Sequence, residues 1–355
     1  MSLLQFTDKG IYCPQAGVYL DPWRPVEKAL ITHGHSDHAR WGHKKYLCTE
    51  SAKPVIKYRL SSPDIQTVKY GEVITINGVN FSFHPAGHII GSSQIRVEYN
   101  GEVWVFTGDF KLQPDGISEP FELVKCNTFI TESTFGLPIY HWKPQADVFE
   151  QINLWWRNNK EHNKVSVLSS YALGKAQRIL KNIDSSIGKI FVHGAVENIN
   201  QLIRNQGIHL PSTHIITKET TKKDWDGALV ICPPSALGSP WLRKFFPYSV
   251  GVASGWMALR GTRRRKGADR GFALSDHADW DELNKAVKET GAEKVFVTHG
   301  YTDVFSKWLR EKGLDAHEVK TQYEGEVDEA APEVVEEAKL NSNEDDPKKE
   351  EGISH

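Results

Sequence analysis

The stretch "ITHGHSDHAR" constrains this chain more than any other. It puts His33, His35, Asp37 and His38 into six consecutive positions, directly after the apolar run "KALIT". Side chains at i and i+2 of an extended segment project to the same side, so His33 and His35 can grip one ion together. The small residues Gly34 and Ser36 let the backbone come close. Asp37 and His38 are adjacent and face a neighbouring point, which suits a second ion. Without a cation, such groups would lose hydration in a cleft with nothing to replace it. Four residues do not complete two ion shells, so other segments must bring ligands to the same place.

Several segments have the form required. The apolar runs "WVFTG", "TFIT" and "KVFVT" lead into Asp109, Glu132 and His299, and "GFALSDHAD" delivers His277. Strand ends on one side of a sheet form a common rim, where α/β sites are built. With His88 in "PAGHIIGS", Asp109 and His299 are the candidates to complete the two shells. A carboxylate can bridge two cations, and divalent metals accept mixed imidazole and carboxylate shells. His43, His84, His141, His162 and His317 belong to no such motif and read as solvated or hydrogen-bonded side chains.

Between Glu132 and His277 the pattern changes. Residues 145 to 160 place Val148, Ile152 and Trp155 at helical spacing, which predicts an amphipathic helix. "VSVLSSYALGKAQRILKNI" reads as a strand and a helix, and "KIFVHG", "ALVICPP" and "YSVGVASG" read as further strands. Such alternation predicts a second α/β domain with a parallel sheet, inserted because site residues lie on both sides of it. The N-terminal stretches "GVYLDP", "GEVITING" and "VNFSFHPAG" predict strands and tight turns of an antiparallel sheet edge. The division expected is a core of residues 1–140 and 269–322, an insertion of residues 141–268, and a tail of residues 323–355.

A chain of 355 residues can bury a core in each of two domains. It has no apolar run near the length of a membrane span and no charged start followed by an apolar stretch, so it reads as cytoplasmic, with no membrane partner. Cys13, Cys48, Cys126 and Cys232 form no CxxC pair and are expected to be buried thiols. Residues 324–355 hold twelve acidic residues against three lysines, a net of −9. The whole chain carries −2, so the preceding residues carry +7. The acidic segment has almost no large apolar residues and reads as a disordered, solubilising tail. A sharper possibility is that it competes with a polyanion for the basic body.

"HGHSDH" matches the HxHxDH signature of the metallo-β-lactamase fold, and "AGH", "TGD" and "TEST" follow in the order and approximate spacing of its β-CASP nuclease branch. The chain resembles the bacterial ligase-associated DNA exonucleases of that branch in "YLDPWRPV", "ITHGHSDHAR", "PAGHIIGSSQIRVE", "TESTFGLPIYHW", "SYALGKAQR", "HGA" and "GFALSDHADW". The resemblance reaches to about residue 320. It implies an α/β fold, a metallo-β-lactamase αββα sandwich with an inserted α/β β-CASP domain. It assigns His33, His35 and His88 to a first metal and Asp37, His38 and His299 to a second, with Asp109 bridging. It makes Asp21 a supporting carboxylate behind the HxHxDH loop. Two divalent ions, Zn or Mn, are the cofactors implied, and association with a DNA ligase or helicase is implied by the family alone.

Two cations about 3.5 to 4 Å apart would activate a water and hold a phosphate for in-line attack, with Asp37 and Asp109 as the central carboxylates. His277 is the candidate general acid, and Glu132 would orient it and keep it protonated. The substrate reading rests on charge. "ALRGTRRRKGADRG" brings Arg260, Arg263, Arg264, Arg265, Lys266 and Arg270 to the mouth of the cleft, a footprint for a nucleic-acid backbone. Lys175 and Arg178 open a helix where phosphate can be cradled, and Ser235 in "CPPSALGSPW" offers a similar turn. Trp256 and Trp280 are candidate base-stacking residues, and His193 a candidate substrate contact. The reading is a metal-dependent nuclease, a DNA exonuclease of DNA repair. The alternatives are a ribonuclease, favoured by His299, and a nucleic-acid-binding scaffold, which the complete ligand set disfavours.

Overall fold

The computed structural model describes residues 2–61, 64–259 and 267–323. In the strand Val79–Pro85, alternate residues Val79, Phe81 and Phe83 are fully buried, as the two-residue period of a half-buried strand requires. They meet Val18, Leu20 and Leu30 of another sheet in one apolar cluster, together with Ile95, Val97, Phe106 and Ile130. Two sheets thus pack face to face.

The first sheet runs across Gln5–Phe6, Ile11–Cys13, Val18–Leu20, Lys28–Leu30, Lys45–Thr49 and Ile65–Val68. The second runs across Asp315–Glu318, Lys294–Gly300, Thr128–Ser133, Glu102–Phe106, Ser93–Tyr99, Val79–Pro85 and Ile74–Ile76. The helix Lys53–Leu60 covers the outer face of the first sheet through Ile56 and Leu60. Helices Trp280–Thr290 and Thr302–Glu311 cover the second through Leu283, Val287, Phe305 and Leu309. The order helix, sheet, sheet, helix is the αββα sandwich expected. Ile74–Ile76 is an edge strand, joined to its neighbour by Asn77–Gly78, both at positive φ as a two-residue hairpin needs. Val18–Leu20 is instead interior, pairing antiparallel with Ile11–Cys13 and parallel with Lys28–Leu30.

A third sheet is wholly parallel, in the order Ile190–Val192, Leu229–Cys232, Val165–Ser169, Tyr248–Ala253, Arg270–Phe272. Helices Gln145–Glu161, Lys175–Asn182 and Gly194–Asn205 cover one face, while Trp225, Leu242 and Phe245 cover the other, so both faces are buried. The helix expected over 145–160 is present, but its buried stripe is Val148, Phe149, Ile152 and Trp156, with Trp155 half-buried. Because Arg270–Phe272 pairs with Gly251–Ala253, the chain leaves this sheet after Phe272, beyond the boundary at 268.

Tyr323, assigned by sequence to the tail, is buried. Residues 324–355, with the acidic run, lie outside the described residues, as do Arg260, Arg263, Arg264, Arg265 and Lys266. All four cysteines are buried free thiols. Among the described residues no helix is long and apolar enough to cross a membrane.

Candidate metal centre

Buried Ile31 follows the strand Lys28–Leu30, and a bend begins at Thr32. Asp21, fully buried, accepts from the Thr32 N–H at 2.7 Å and its hydroxyl at 2.5 Å. The same carboxylate accepts from His38 Nδ1 at 2.7 Å. One carboxylate therefore fixes both ends of the motif. Gly108 answers the crowding here, since a Cβ on it would lie 2.6 Å from the Thr32 hydroxyl.

Around this loop the structure gathers the residues expected from distant segments. One oxygen of Asp109 lies 3.5 Å from His33 Nε2, 3.5 Å from His38 Nε2 and 3.8 Å from His88 Nε2, and its other oxygen lies 3.3 Å from His299 Nδ1. Ligand atoms of His33, His35, His88 and Asp109 form one group within 4.8 Å of each other, and those of Asp37, His38 and His299 form another. The rim expected from sequence is real but composite. Lys28–Leu30 comes from the first sheet, whereas Asp109, Glu132 and His299 follow or end strands of the second. His277 comes from a loop five residues beyond the third sheet's Phe272.

The donor set fits cations. His38 donates Nδ1 to Asp21 and His88 donates Nδ1 to the Asp276 carbonyl at 2.8 Å, so each turns an acceptor Nε2 inward. His35 lies 3.4 Å by Nε2 from the Leu173 carbonyl, which leaves its Nδ1 facing His88 Nε2 at 3.0 Å. With the proton on His35 Nε2, both facing nitrogens are acceptors, an arrangement that a cation beside them would relieve. His33 Nε2, His38 Nε2, Asp109 Oδ1 and both nitrogens of His299 are buried without a hydrogen-bond partner. Such orphaned polar atoms are costly unless a ligand satisfies them.

The charges agree. Burial and neighbouring His38 push His33 down to about 4. Burial, with His277, His33 and His35, holds His88 well below the usual imidazole range. Burial works against the charged form of Asp109, yet His38, His299 and His277 hold its carboxyl well below the usual range. Asp37 goes to about 2 against the same opposition from burial, drawn down by His38. His38 itself is held well above its ordinary value by Asp109 and Asp37 despite burial. A proton on His38 and a cation beside these carboxylates answer the same negative charge, so each competes with the other.

Beside this centre, His277 Nδ1 lies 2.9 Å and 3.1 Å from the two oxygens of Glu132. Glu132 also accepts from the Phe110 N–H at 2.8 Å and the Thr134 hydroxyl at 2.5 Å, so it is rigid. The His277 carbonyl accepts from Trp142 Nε1 at 3.0 Å and Lys111 Nζ at 3.3 Å. With Asp109, the pair forms a third buried group within 4.8 Å.

Other expectations need correction. Lys175 and Arg178 are fully buried. Lys175 Nζ lies 3.5 Å from Asp276, and Arg178 pairs with Asp276 at 3.2 Å and Asp115 at 3.6 Å, so neither side chain is offered to a nucleic acid. Trp280 is core, packed on Phe305 and Trp308. Trp256 is half-buried against Phe135, its ring 4.8 Å away. His193 caps the helix Gly194–Asn205, accepting from the Ala195 N–H at 3.2 Å. Ser235 and Arg270 are exposed.

Sequence reasoning missed Tyr323. Its ring stacks on His38 at 4.4 Å and 9°, and its hydroxyl donates to the Asp21 carbonyl at 3.1 Å. The available signal was that no aromatic residue follows it in the remaining 32 residues.

No protein-family model matches the chain. It is 32% identical over 311 residues, 86% of its length, to a protein of Opitutus terrae named Probable DNA ligase, of which it covers 30%. It is 29% identical over 218 residues, half of its length, to Endoribonuclease YSH1 of Yarrowia lipolytica, of which it covers 26%. The chain thus spans less than a third of either relative. A crystal structure of a protein of unknown function from Enterococcus faecalis matches 83% of this chain and 79% of its own, with a TM-score of 0.57 at 13% identity, which speaks to fold alone.

Proposed function

The chain belongs to the metallo-β-lactamase/β-CASP family, and from that premise we propose that it is a metal-dependent phosphodiesterase acting on nucleic acid, a DNA exonuclease of DNA repair. The observation that carries this reading is the convergence on Asp109. Four imidazoles face its carboxylate at 3.3 to 3.8 Å, and the Glu132–His277 pair stands beside them. His33, His35 and His88 would hold one divalent ion, Asp37, His38 and His299 a second, with Asp109 between them. Zn or Mn suits these ligands. When bound, such a pair supplies Lewis acidity and a nucleophilic water near neutral pH.

The chain's own residues do the remainder. Asp21 fixes His33 and His38 through Thr32 and a direct hydrogen bond. Glu132 takes His277 Nδ1, leaving Nε2 to protonate the leaving oxygen, and its charge favours the imidazolium that donates. The unit formed by residues 145–272 serves as the inserted domain that holds the strand against the centre.

DNA is favoured by the resemblance to ligase-associated exonucleases and by the name of the Opitutus relative. Functional association with a DNA ligase or helicase belongs to the same proposal. His299 and the endoribonuclease relative favour a second reading, a ribonuclease. The test is a time course on matched 5′- and 3′-labelled DNA and RNA oligonucleotides with Zn or Mn, beside Asp109→Ala. Stepwise shortening of DNA, absent in the variant, is expected. Internal cuts in RNA alone would establish the second reading, and binding of either without cleavage would leave a scaffold.

A further inference from the structure

His277 sits in neither a strand nor a helix. Residues 273–279 run irregularly between Arg270–Phe272 and Trp280–Thr290, so no ladder holds the peptide that carries the candidate acid. Buried peptide groups in such a loop need partners from elsewhere. The His277 N–H donates to Ser275 Oγ at 3.0 Å, a contact within the loop. Its carbonyl takes two donors from outside, Trp142 Nε1 at 3.0 Å and Lys111 Nζ at 3.3 Å. A carbonyl oxygen has two lone pairs, so this one is fully used.

Lysine is seldom buried, because its ammonium loses hydration there. Lys111 is 2% exposed, with Nζ 3.6 Å from Glu282 and 5.8 Å from the centre of the Trp142 ring. Its position in the chain gives that cost a purpose. Lys111 follows Asp109 by two residues, and its own N–H donates to the carbonyl of Ala86, two residues before His88. Between them, the Phe110 N–H donates to Glu132 at 2.8 Å and the Phe110 carbonyl accepts from the Ala278 N–H at 2.8 Å. Residues 109–111 thus carry the carboxylate at the middle of the candidate metal centre and two holds on the loop of the acid.

We propose that Lys111 and Trp142 are positioning residues for the candidate general acid, clamping the His277 carbonyl so that the imidazole keeps a fixed place relative to Asp109. The proposal rests on the nuclease reading above. In that reaction a water oxygen bonds to phosphorus, the bond to the leaving oxygen breaks with its electron pair, and that oxygen takes a proton from His277. Misplacing a reacting group by about 1 Å can cost about a hundredfold in rate. A leaving atom that needs no proton is indifferent to where the acid stands.

The test compares an oligonucleotide that the wild type cleaves with the same strand carrying sulfur in place of the leaving oxygen, since a thiolate departs without a proton. In Lys111→Met/Trp142→Phe, kcat on the oxygen strand should fall on the order of tenfold relative to the sulfur strand, with KM unchanged. His277→Ala should show the same selectivity more strongly. Trp142→Phe alone keeps a ring against Phe135 and removes one donor, so a smaller selective loss in it carries the test should the double variant fold poorly. In the metal-free chain, the NMR signal of the His277 Nδ1–H bonded to Glu132, assigned by its loss in His277→Ala, should shift or broaden in the double variant. Equal losses on both strands, or none, in the double variant beside a selective loss in His277→Ala would overturn the clamp while the nuclease reading stands. Equal losses in His277→Ala itself would overturn the acid assignment and the clamp with it, and a wild type that cleaves neither DNA nor RNA would overturn the nuclease reading as well.

Discussion

Tyr323 ties the C-terminal end of the described chain to the second candidate metal, and replacing it separates packing from ligand support. Its ring is 8% exposed, stacks flat on His38 and meets Trp23 edge-on at 5.6 Å. Truncating a buried aromatic of this kind costs about 3 to 5 kcal/mol, so Tyr323→Ala should lose roughly 3 to 4 kcal/mol of stability. Tyr323→Phe removes only the hydrogen bond to the Asp21 carbonyl and should lose about 1 kcal/mol. Asp21 also holds Thr32 and His38, so the alanine variant loosens the second site more than the first. Denaturant unfolding of the metal-loaded protein gives the stability, and metal per chain after graded chelation gives the second quantity. The alanine variant should release one ion well before the other, while the phenylalanine variant should track the wild type. An alanine variant with wild-type stability and two equally held ions would refute the reasoning.

Four further variants have expected outcomes. His277→Ala should keep both ions and lose most turnover, and Glu132→Gln should cost on the order of tenfold or more in kcat as a charge-assisted hydrogen bond is weakened; parallel loss of metal in His277→Ala would mean that His277 is a ligand. Lys175→Met leaves buried Asp276 with Arg178 still beside it and should destabilise by about 1.5 to 3 kcal/mol, read by thermal or denaturant unfolding; an unchanged stability would show that the Lys175 ion pair is not maintained in solution. His43 is pushed down to about 4 by burial, so its contribution is present above its unfolded value near 6.5 and is lost as pH falls towards 4. The loss is at most about 3 kcal/mol, and His43→Gln should flatten that limb of the stability profile, whereas an unaltered limb would point to other groups.

The candidate metal ligands were legible because the demand for a cation is written locally. HxHxDH fails as a surface loop and as a dry core, and each remaining ligand stands at or near the end of an apolar run. Sheet membership was not legible, since the same run serves any of three sheets, and so a rim built from two sheets and a loop read as one. Trp155 and Trp156 are neighbours, and periodicity placed the wrong one in the stripe. Trp280 carried no local mark of whether its ring faces solvent or core. Tyr323 was lost because a window averaged over the acidic tail hides a single aromatic at its start.

Lys175 and Arg178 show the deeper limit. "SYALGKAQR" contains two cations and no acid, so the segment alone reads as a face for phosphate. Their partners Asp276 and Asp115 come from distant segments, and all four groups are buried. Removing one member of such a network leaves an uncompensated charge, so its members hold one another in place. Asp276 adjoins His277 and gives its carbonyl to His88, and Arg178 donates to the Ser275 carbonyl at 3.1 Å. The helix Lys175–Asn182 of the third sheet's unit therefore positions the loop that carries the candidate acid. A shift of that unit against the sandwich would draw the Asp276 carbonyl away from His88 and His277 away from Glu132, so the docking of the two parts bears on both residues.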